Sequence, residues 1–103
     1  MPFQPIDELI IEQEGPVAIL KLNRPEKMNA FSDDMHVALR EVWYHLSLDR
    51  SVRVVVLTGE GRCFSAGGDI PGFIADYESQ IRRRESMRGG QRLLDAMLEG
   101  PKP

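Results

Sequence analysis

The sequence predicts an α/β fold. Three stretches carry that reading: a strand-like pair at residues 6–12 and 17–22, an amphipathic helical pattern after Ser32, and a β-branched run at residues 52–58. A strand, a helix and a second strand in that order imply two parallel strands joined by a right-handed crossover.

The first stretch, IDELIIE, is apolar enough for a strand, and Gln13-Glu14-Gly15-Pro16 follows as a turn. The second, VAILKL, carries aliphatic residues on both faces, so the two pair as a hairpin. Pro16 at its start removes one ladder donor. A polar loop follows, Asn23-Arg24-Pro25-Glu26-Lys27-Met28-Asn29-Ala30-Phe31. Ser32 then serves as an N-cap, with Asp33 and Asp34 placed to suit the helix dipole. Met35, Ala38, Leu39, Val42 and Leu46 recur at three- and four-residue spacing, which makes one buried helical face. Asp49-Arg50-Ser51 ends that pattern, and VRVVVLT reads as a parallel strand buried on both sides. Beyond a glycine-bearing loop, a short helix is expected over residues 70–77 and a longer one over 78–98, with Met87, Leu94 and Leu98 among its apolar positions. Gly89-Gly90 predict a kink or a close helix contact there, since each costs about 1 kcal/mol against Ala in a helix interior.

At 103 residues the chain is one domain or part of one, and its net charge of −3 offers no electrostatic footprint for nucleic acid. Cys63 is the single cysteine, so an internal disulfide is excluded and a reducing, cytoplasmic setting is the natural expectation. The opening MPFQPIDELI lacks the basic and apolar regions of a secretory signal. No apolar run approaches the roughly 20 residues that span a bilayer. The final Glu99-Gly100-Pro101-Lys102-Pro103 has the form of a helix stop leading into a new element. Ending at such a junction predicts that residues 1–103 are the N-terminal portion of a domain whose remainder is absent.

The chemistry concentrates in CFSAGGDI, residues 63–70. Glycines after a strand serve as plain turn residues, and three functional readings compete with that one. A dinucleotide site needs G-x-G-x-x-G, but Gly59-Glu60-Gly61-Arg62-Cys63-Phe64 has Phe at the third glycine position, and residues 79–83 lack the expected acid. A serine hydrolase needs G-x-S-x-G, but Cys63-Phe64-Ser65-Ala66-Gly67 lacks the first glycine. Both histidines precede the serine, and His36 is expected on a solvated helix face with His45 near the helix end. The third reading is an anion cradle: Gly67 and Gly68 precede a helix start, where free N–H groups and the dipole favour negative charge. Static phosphate binding and half of an oxyanion hole both remain open on this ground. One oxyanion donor can be worth roughly 2.7–4 kcal/mol of barrier.

Two segments together resemble the crotonase superfamily, the enoyl-CoA hydratase/isomerase family. Asn23-Arg24-Pro25-Glu26-Lys27-Met28-Asn29-Ala30-Phe31 is similar to its N-R-P-x-x-x-N-A-[LF] loop, and Cys63-Phe64-Ser65-Ala66-Gly67-Gly68-Asp69-Ile70, following Val54–Gly59, is similar to its F-[CS]-A-G-x-D-[IL] loop. Residues 100–103 resemble the link into the family's next strand. The resemblance implies a ββα superhelix, incomplete in this chain, and assembly as a homotrimer or hexamer. It implies an acyl-CoA thioester as substrate, an enolate anion stabilised by two backbone N–H groups, and fatty acid metabolism as the setting. No metal and no cofactor beyond the substrate's own coenzyme A is implied, and neither membrane nor nucleic acid is a partner.

By the same resemblance Gly68 supplies one oxyanion N–H, and Lys27, Met28, Ala30, Ala66, Gly67, Asp69 and Ile70 line the substrate site. Asp69 fits a helix-capping role better than a proton carrier. Lys27 and Arg24 are cations open to coenzyme A phosphates or to solvent. Arg82, Arg83, Arg84, Arg88 and Arg92 read as a solvated or subunit-facing helix side. The family's second oxyanion donor and the catalytic glutamates of its hydratases come from later loops, so the acid and base match no residue here. Two functions follow: the N-terminal segment of a hydratase-type enzyme, inactive by itself, or a naturally short binding or assembly module.

Overall fold

The computed structural model describes residues 6–67 and 80–103. Two strands, β1 (Leu9–Glu14) and β2 (Val17–Leu22), form the hairpin, and a helix, α1 (Asp33–Leu48), leads to the third strand, β3 (Val54–Gly59). A long helix, α2 (Gln80–Glu99), closes the described part of the chain. The sheet order is β1-β2-β3. The hairpin is antiparallel, running from Leu9 opposite Leu22 to Glu14 opposite Val17, and β2 pairs with β3 in parallel, from Val17 beside Val54 to Leu22 beside Gly59. The β2–α1–β3 unit therefore joins two parallel strands through a helix, as the sequence predicts.

The first strand begins later than expected because Asp7 and Glu8 make a turn, in which Leu9 N donates to Ile6 O at 3.3 Å. It also runs further, through Gln13 and Glu14, since Gly15-Pro16 alone suffice for a two-residue hairpin turn. Pro16 lies in that turn, and its carbonyl accepts from Arg53 N at 2.7 Å and Val54 N at 3.3 Å. The missing donor of Pro16 thus costs the ladder nothing, and its acceptor fixes where β3 starts.

In α1 the capping prediction holds: Ser32 Oγ accepts from Met35 N at 3.1 Å. Met35, Ala38, Leu39, Val42 and Leu46 are buried as the spacing predicts, together with Trp43. They meet Ala18, Leu20 and Leu22 of β2, Leu9 of β1 and Val52 in one core. At the C-terminal end of α1, Lys102 Nζ donates to Leu46 O at 2.7 Å and also to Asp49 O, a cation placed at the negative end of the helix dipole. Val55 N donates to Pro103 O at 2.9 Å, so residues 100–103 run back beside β3.

Two expectations are corrected. β3 is not buried on both faces: Val55 and Leu57 pack on the core, but Val54 and Val56 are 36% and 40% exposed. α1 packs on the core side of the sheet and α2 docks on α1, while among the described residues Val54 and Val56 stay open on the other side. On α2 the inward positions are Leu93, Ala96 and Met97, whereas Leu94 and Leu98 face solvent. The helix passes unbroken through Gly89 and Gly90. Docking of its C-terminal half on α1 offsets their intrinsic penalty. The helix expected over residues 70–77 lies outside the described residues.

Candidate functional site

The site is built where the loop after β2 meets the loop after β3. Leu22 is the last residue of its strand, and its carbonyl accepts from Glu60 N at 2.9 Å, so both loops leave the sheet at the same level. The first loop makes one 3₁₀ turn, Pro25–Lys27, with proline at its opening position. Met28 and Asn29 then adopt left-handed backbone in succession, at φ 52° and 55°. That pair reverses the chain sharply and brings Asn29 N back to Arg24 O at 2.8 Å.

Asn29 organises both loops. Its side chain is fully buried. Oδ1 accepts from Arg24 N at 2.8 Å within its own loop. Nδ2 donates to Glu60 O and Cys63 O, both at 2.8 Å, in the other. Both amide protons are therefore spent across the junction. Asparagine suits the position twice over, since it tolerates left-handed backbone and carries donor and acceptor on one short side chain. Further bonds close the seam: Cys63 Sγ to Met28 O at 3.1 Å, Ser65 Oγ to Asn29 O at 2.8 Å, Ala66 N to Met28 O at 2.9 Å and Phe31 N to Gly67 O at 2.7 Å.

Two glycines make this geometry possible. At Gly59 a Cβ would lie 2.6 Å from Cys63 O and 2.7 Å from Asn29 Nδ2, and closer still to Phe64 O, so any side chain would force the loop off Asn29. Gly67 holds φ at 107°, a backbone that L side chains rarely adopt.

The expected site residues divide by position. Lys27 and Met28 are exposed at the tip of the first loop, and Ala66 and Gly67 are exposed on the second. The Ala66–Met28 bond places the two groups side by side. Ala30 is buried instead, its N–H on Lys27 O at 3.1 Å and its carbonyl taken by Arg24 Nη1 at 2.7 Å. The amides of Ala66 and Gly67 are engaged internally, the latter on Ser65 Oγ at 3.1 Å, so these residues shape the surface rather than donate to a ligand. Gly68, Asp69 and Ile70 lie outside the described residues. Arg24 is no solvent-facing cation: it is ion-paired to Glu8 at 3.2 Å. Arg84, Arg88 and Arg92 are exposed. Ser65 Oγ is occupied by backbone groups on both sides, in keeping with rejection of a serine nucleophile.

His36 departs from the solvated role expected of it. Its ring packs against Phe31, centroids 5.0 Å apart, and Nδ1 is buried without a hydrogen-bond partner among the described residues. Burial pushes its pKa below the ordinary value, Arg40 adding to that push and Asp33 opposing it. Asn29 is the functional-site residue that motif chemistry overlooks. Its one signal in the sequence is its place in the N-R-P-x-x-x-N-A-[LF] pattern, which gives the position but not the bonds it makes.

The family model described as enoyl-CoA hydratase/isomerase matches residues 12–103. A probable enoyl-CoA hydratase of Mycobacterium bovis is 41% identical over 93 residues, covering 87% of this chain and 33% of the relative. A probable 3-hydroxyisobutyryl-CoA hydrolase of Arabidopsis thaliana is 44% identical over 69 residues, covering 67% of this chain and 18% of that protein. Among solved structures, an enoyl-CoA hydratase/isomerase from Mycobacterium paratuberculosis superposes with a TM-score of 0.85 at 33% identity, over 98% of this chain and 41% of that one. Pseudomonas aeruginosa AtuE gives 0.87 at 34% identity, over 93% and 38%. The chain thus spans about a third of the length of the first of these relatives. Its α/β fold is the N-terminal part of the crotonase fold, and the chain belongs to the enoyl-CoA hydratase/isomerase family.

Proposed function

We propose that this chain supplies the acyl-CoA-binding loops and one oxyanion donor of an enzyme that stabilises a thioester enolate, and that the reaction is addition of water to a 2-enoyl-CoA. The observation that carries the proposal is the seam at Asn29, which holds Lys27 and Met28 beside Ala66 and Gly67, the residues that precede position 68 in the chain. An enolate oxygen needs donors set in place before charge develops, and a loop bonded at six points meets that need without reorganising. In this reading Lys27, Met28, Ala66, Gly67, Asp69 and Ile70 border the coenzyme A moiety, Ala30 supports them from beneath, and the Gly68 amide faces the thioester oxygen. No residue of this chain is assigned to general acid–base catalysis.

The proposal includes a homotrimeric or hexameric assembly in the cytoplasm, no separate cofactor or metal, and no nucleic-acid or membrane partner. Among the described residues no helix is long and apolar enough to cross a membrane.

The test is a turnover panel of acyl-CoA thioesters on the complete polypeptide, scoring hydration, double-bond isomerisation and thioester hydrolysis separately. Gly68→Pro removes the assigned N–H and is expected to lower turnover by about 10²–10³-fold, with circular dichroism confirming that the fold survives. Unchanged turnover in a folded Gly68→Pro variant refutes the donor, and hydrolysis without hydration refutes the reaction.

A further inference from the structure

The first loop is held at both roots by one carboxylate. Glu8 Oε2 accepts from Arg24 Nε at 3.2 Å, at the loop's entry, and from Ser32 Oγ at 2.7 Å, at its exit. The same Ser32 hydroxyl caps α1 through Met35 N. Arg24 carries the connection inward, since its Nη1 donates to Ala30 O at 2.7 Å and its backbone carbonyl accepts from Lys27 N and Asn29 N. The turn that bears Glu8 is itself tied to the loop: Glu8 O accepts from Asn23 N at 2.7 Å and Asp7 O from Asn23 Nδ2 at 2.9 Å. The Arg24 side chain is only 14% exposed, so its charge is largely withdrawn from water and depends on this partner.

We infer that Glu8 is a positioning residue: it sets the spacing between the two ends of the first loop, and through Arg24 and Asn29 it sets how Lys27 and Met28 are presented beside Ala66 and Gly67. The inference about the clamp stands on this geometry, and its consequence for ligand binding rests on the acyl-CoA reading above. The loop has no apolar core of its own, because Lys27 and Met28 point outward and its single 3₁₀ turn buries no residue. Its shape therefore depends on polar bonds, and the Glu8 carboxylate joins the two roots, Arg24 and Ser32, through a single group. Glu8 itself touches no residue assigned to the ligand.

The experiment compares the unaltered chain with Glu8→Ala, Glu8→Gln and Arg24→Lys by residue-resolved amide hydrogen exchange, and titrates each with coenzyme A. In Glu8→Ala the amides of Asn29, Ala30, Phe31 and Ala66 are expected to exchange about three- to tenfold faster, the low end reflecting partial solvent screening of the pair. Amides in the middle of β2 and α1 keep their rates. Glu8→Gln retains an oxygen for Ser32 and is expected to fall between, and the affinity for coenzyme A weakens in the same order. Loop exchange that does not change, or that rises equally in β2 and α1, overturns the inference. Faster loop exchange with coenzyme A affinity unchanged or undetectable in every variant upholds the clamp and counts against the acyl-CoA reading instead.

Discussion

Replacing Asn29 is the most direct test of how the two loops are joined, because three hydrogen bonds and a left-handed backbone meet in one side chain. Asn29→Ala strands Arg24 N–H, Glu60 O and Cys63 O in a part-buried seam. A buried polar group left without a partner costs about 1–3 kcal/mol. Three such groups at the low end, for partial rescue by water, cost about 3 kcal/mol. Alanine at φ 55° adds about 1 kcal/mol of backbone strain that asparagine largely avoids. The sum is about 4 kcal/mol, a large share of a small domain's stability. Asn29→Gly loses the same bonds without the strain, so it is expected to be about 1 kcal/mol milder than Asn29→Ala. Asn29→Asp keeps the acceptor but turns a carboxylate oxygen toward two carbonyls. It is expected to fall near Asn29→Ala at neutral pH and to recover part of its loss, relative to the parent, as acid protonates the new carboxyl. The assay is urea unfolding of all four proteins at one fixed concentration, since self-association adds to apparent stability. A loss below about 1 kcal/mol for Asn29→Ala, or no difference between alanine and glycine, would refute the account of the seam.

Three further outcomes are expected. His36 is depressed by burial, so the unfolded chain takes up its proton first; the stability contributed by neutral His36 is present above its ordinary value of 6.5 and is lost as pH falls toward the lower folded value. Urea midpoints between pH 8 and 5 should fall more steeply in the parent than in His36→Phe, and parallel curves would dismiss the effect. Gly67→Ala should cost about 1–3 kcal/mol through its φ of 107° and free the Phe31 amide for exchange, and a thermal midpoint equal to the parent's would contradict that geometry. The open sheet face at Val54 and Val56 should make the chain self-associate in sedimentation, with Val56→Lys reducing the effect, whereas a compact monomer at every concentration would show that the face needs no cover.

Elements whose signal is periodic are legible in the sequence. The buried face of α1 follows from five apolar positions, and its start follows from Ser32, because burial and capping are both local consequences of residue type. β3 was legible as a strand but not as a half-covered one. A β-branched run looks the same whether one face or two are buried, and only where the rest of the chain packs decides it. On α2, Leu93 and Leu94 are adjacent and equally apolar. Which of them turns inward depends on the angle at which the helix meets α1, a tertiary quantity that spacing does not encode.

The site was legible for a different reason and to a different depth. Gly67 drew notice because glycine is a backbone statement, and the structure gives that statement its content in a φ that other residues rarely adopt. Arg24 was misleading for the complementary reason. A cation in a polar loop reads as a ligand for phosphate, but a guanidinium also satisfies carbonyls and carboxylates within its own chain, and here Glu8 and Ala30 occupy it. Asn29 was hidden because its work is done across 31 and 34 residues of sequence. Backbone-donor sites share this property: the donor itself is any residue with an N–H, and the residues that specify it are the side chains holding two loops in register. The place to look for chemistry in such a chain is therefore the amide or hydroxyl that bonds main chain on both sides of a seam, as buried Asn29 and half-buried Ser65 do among the described residues.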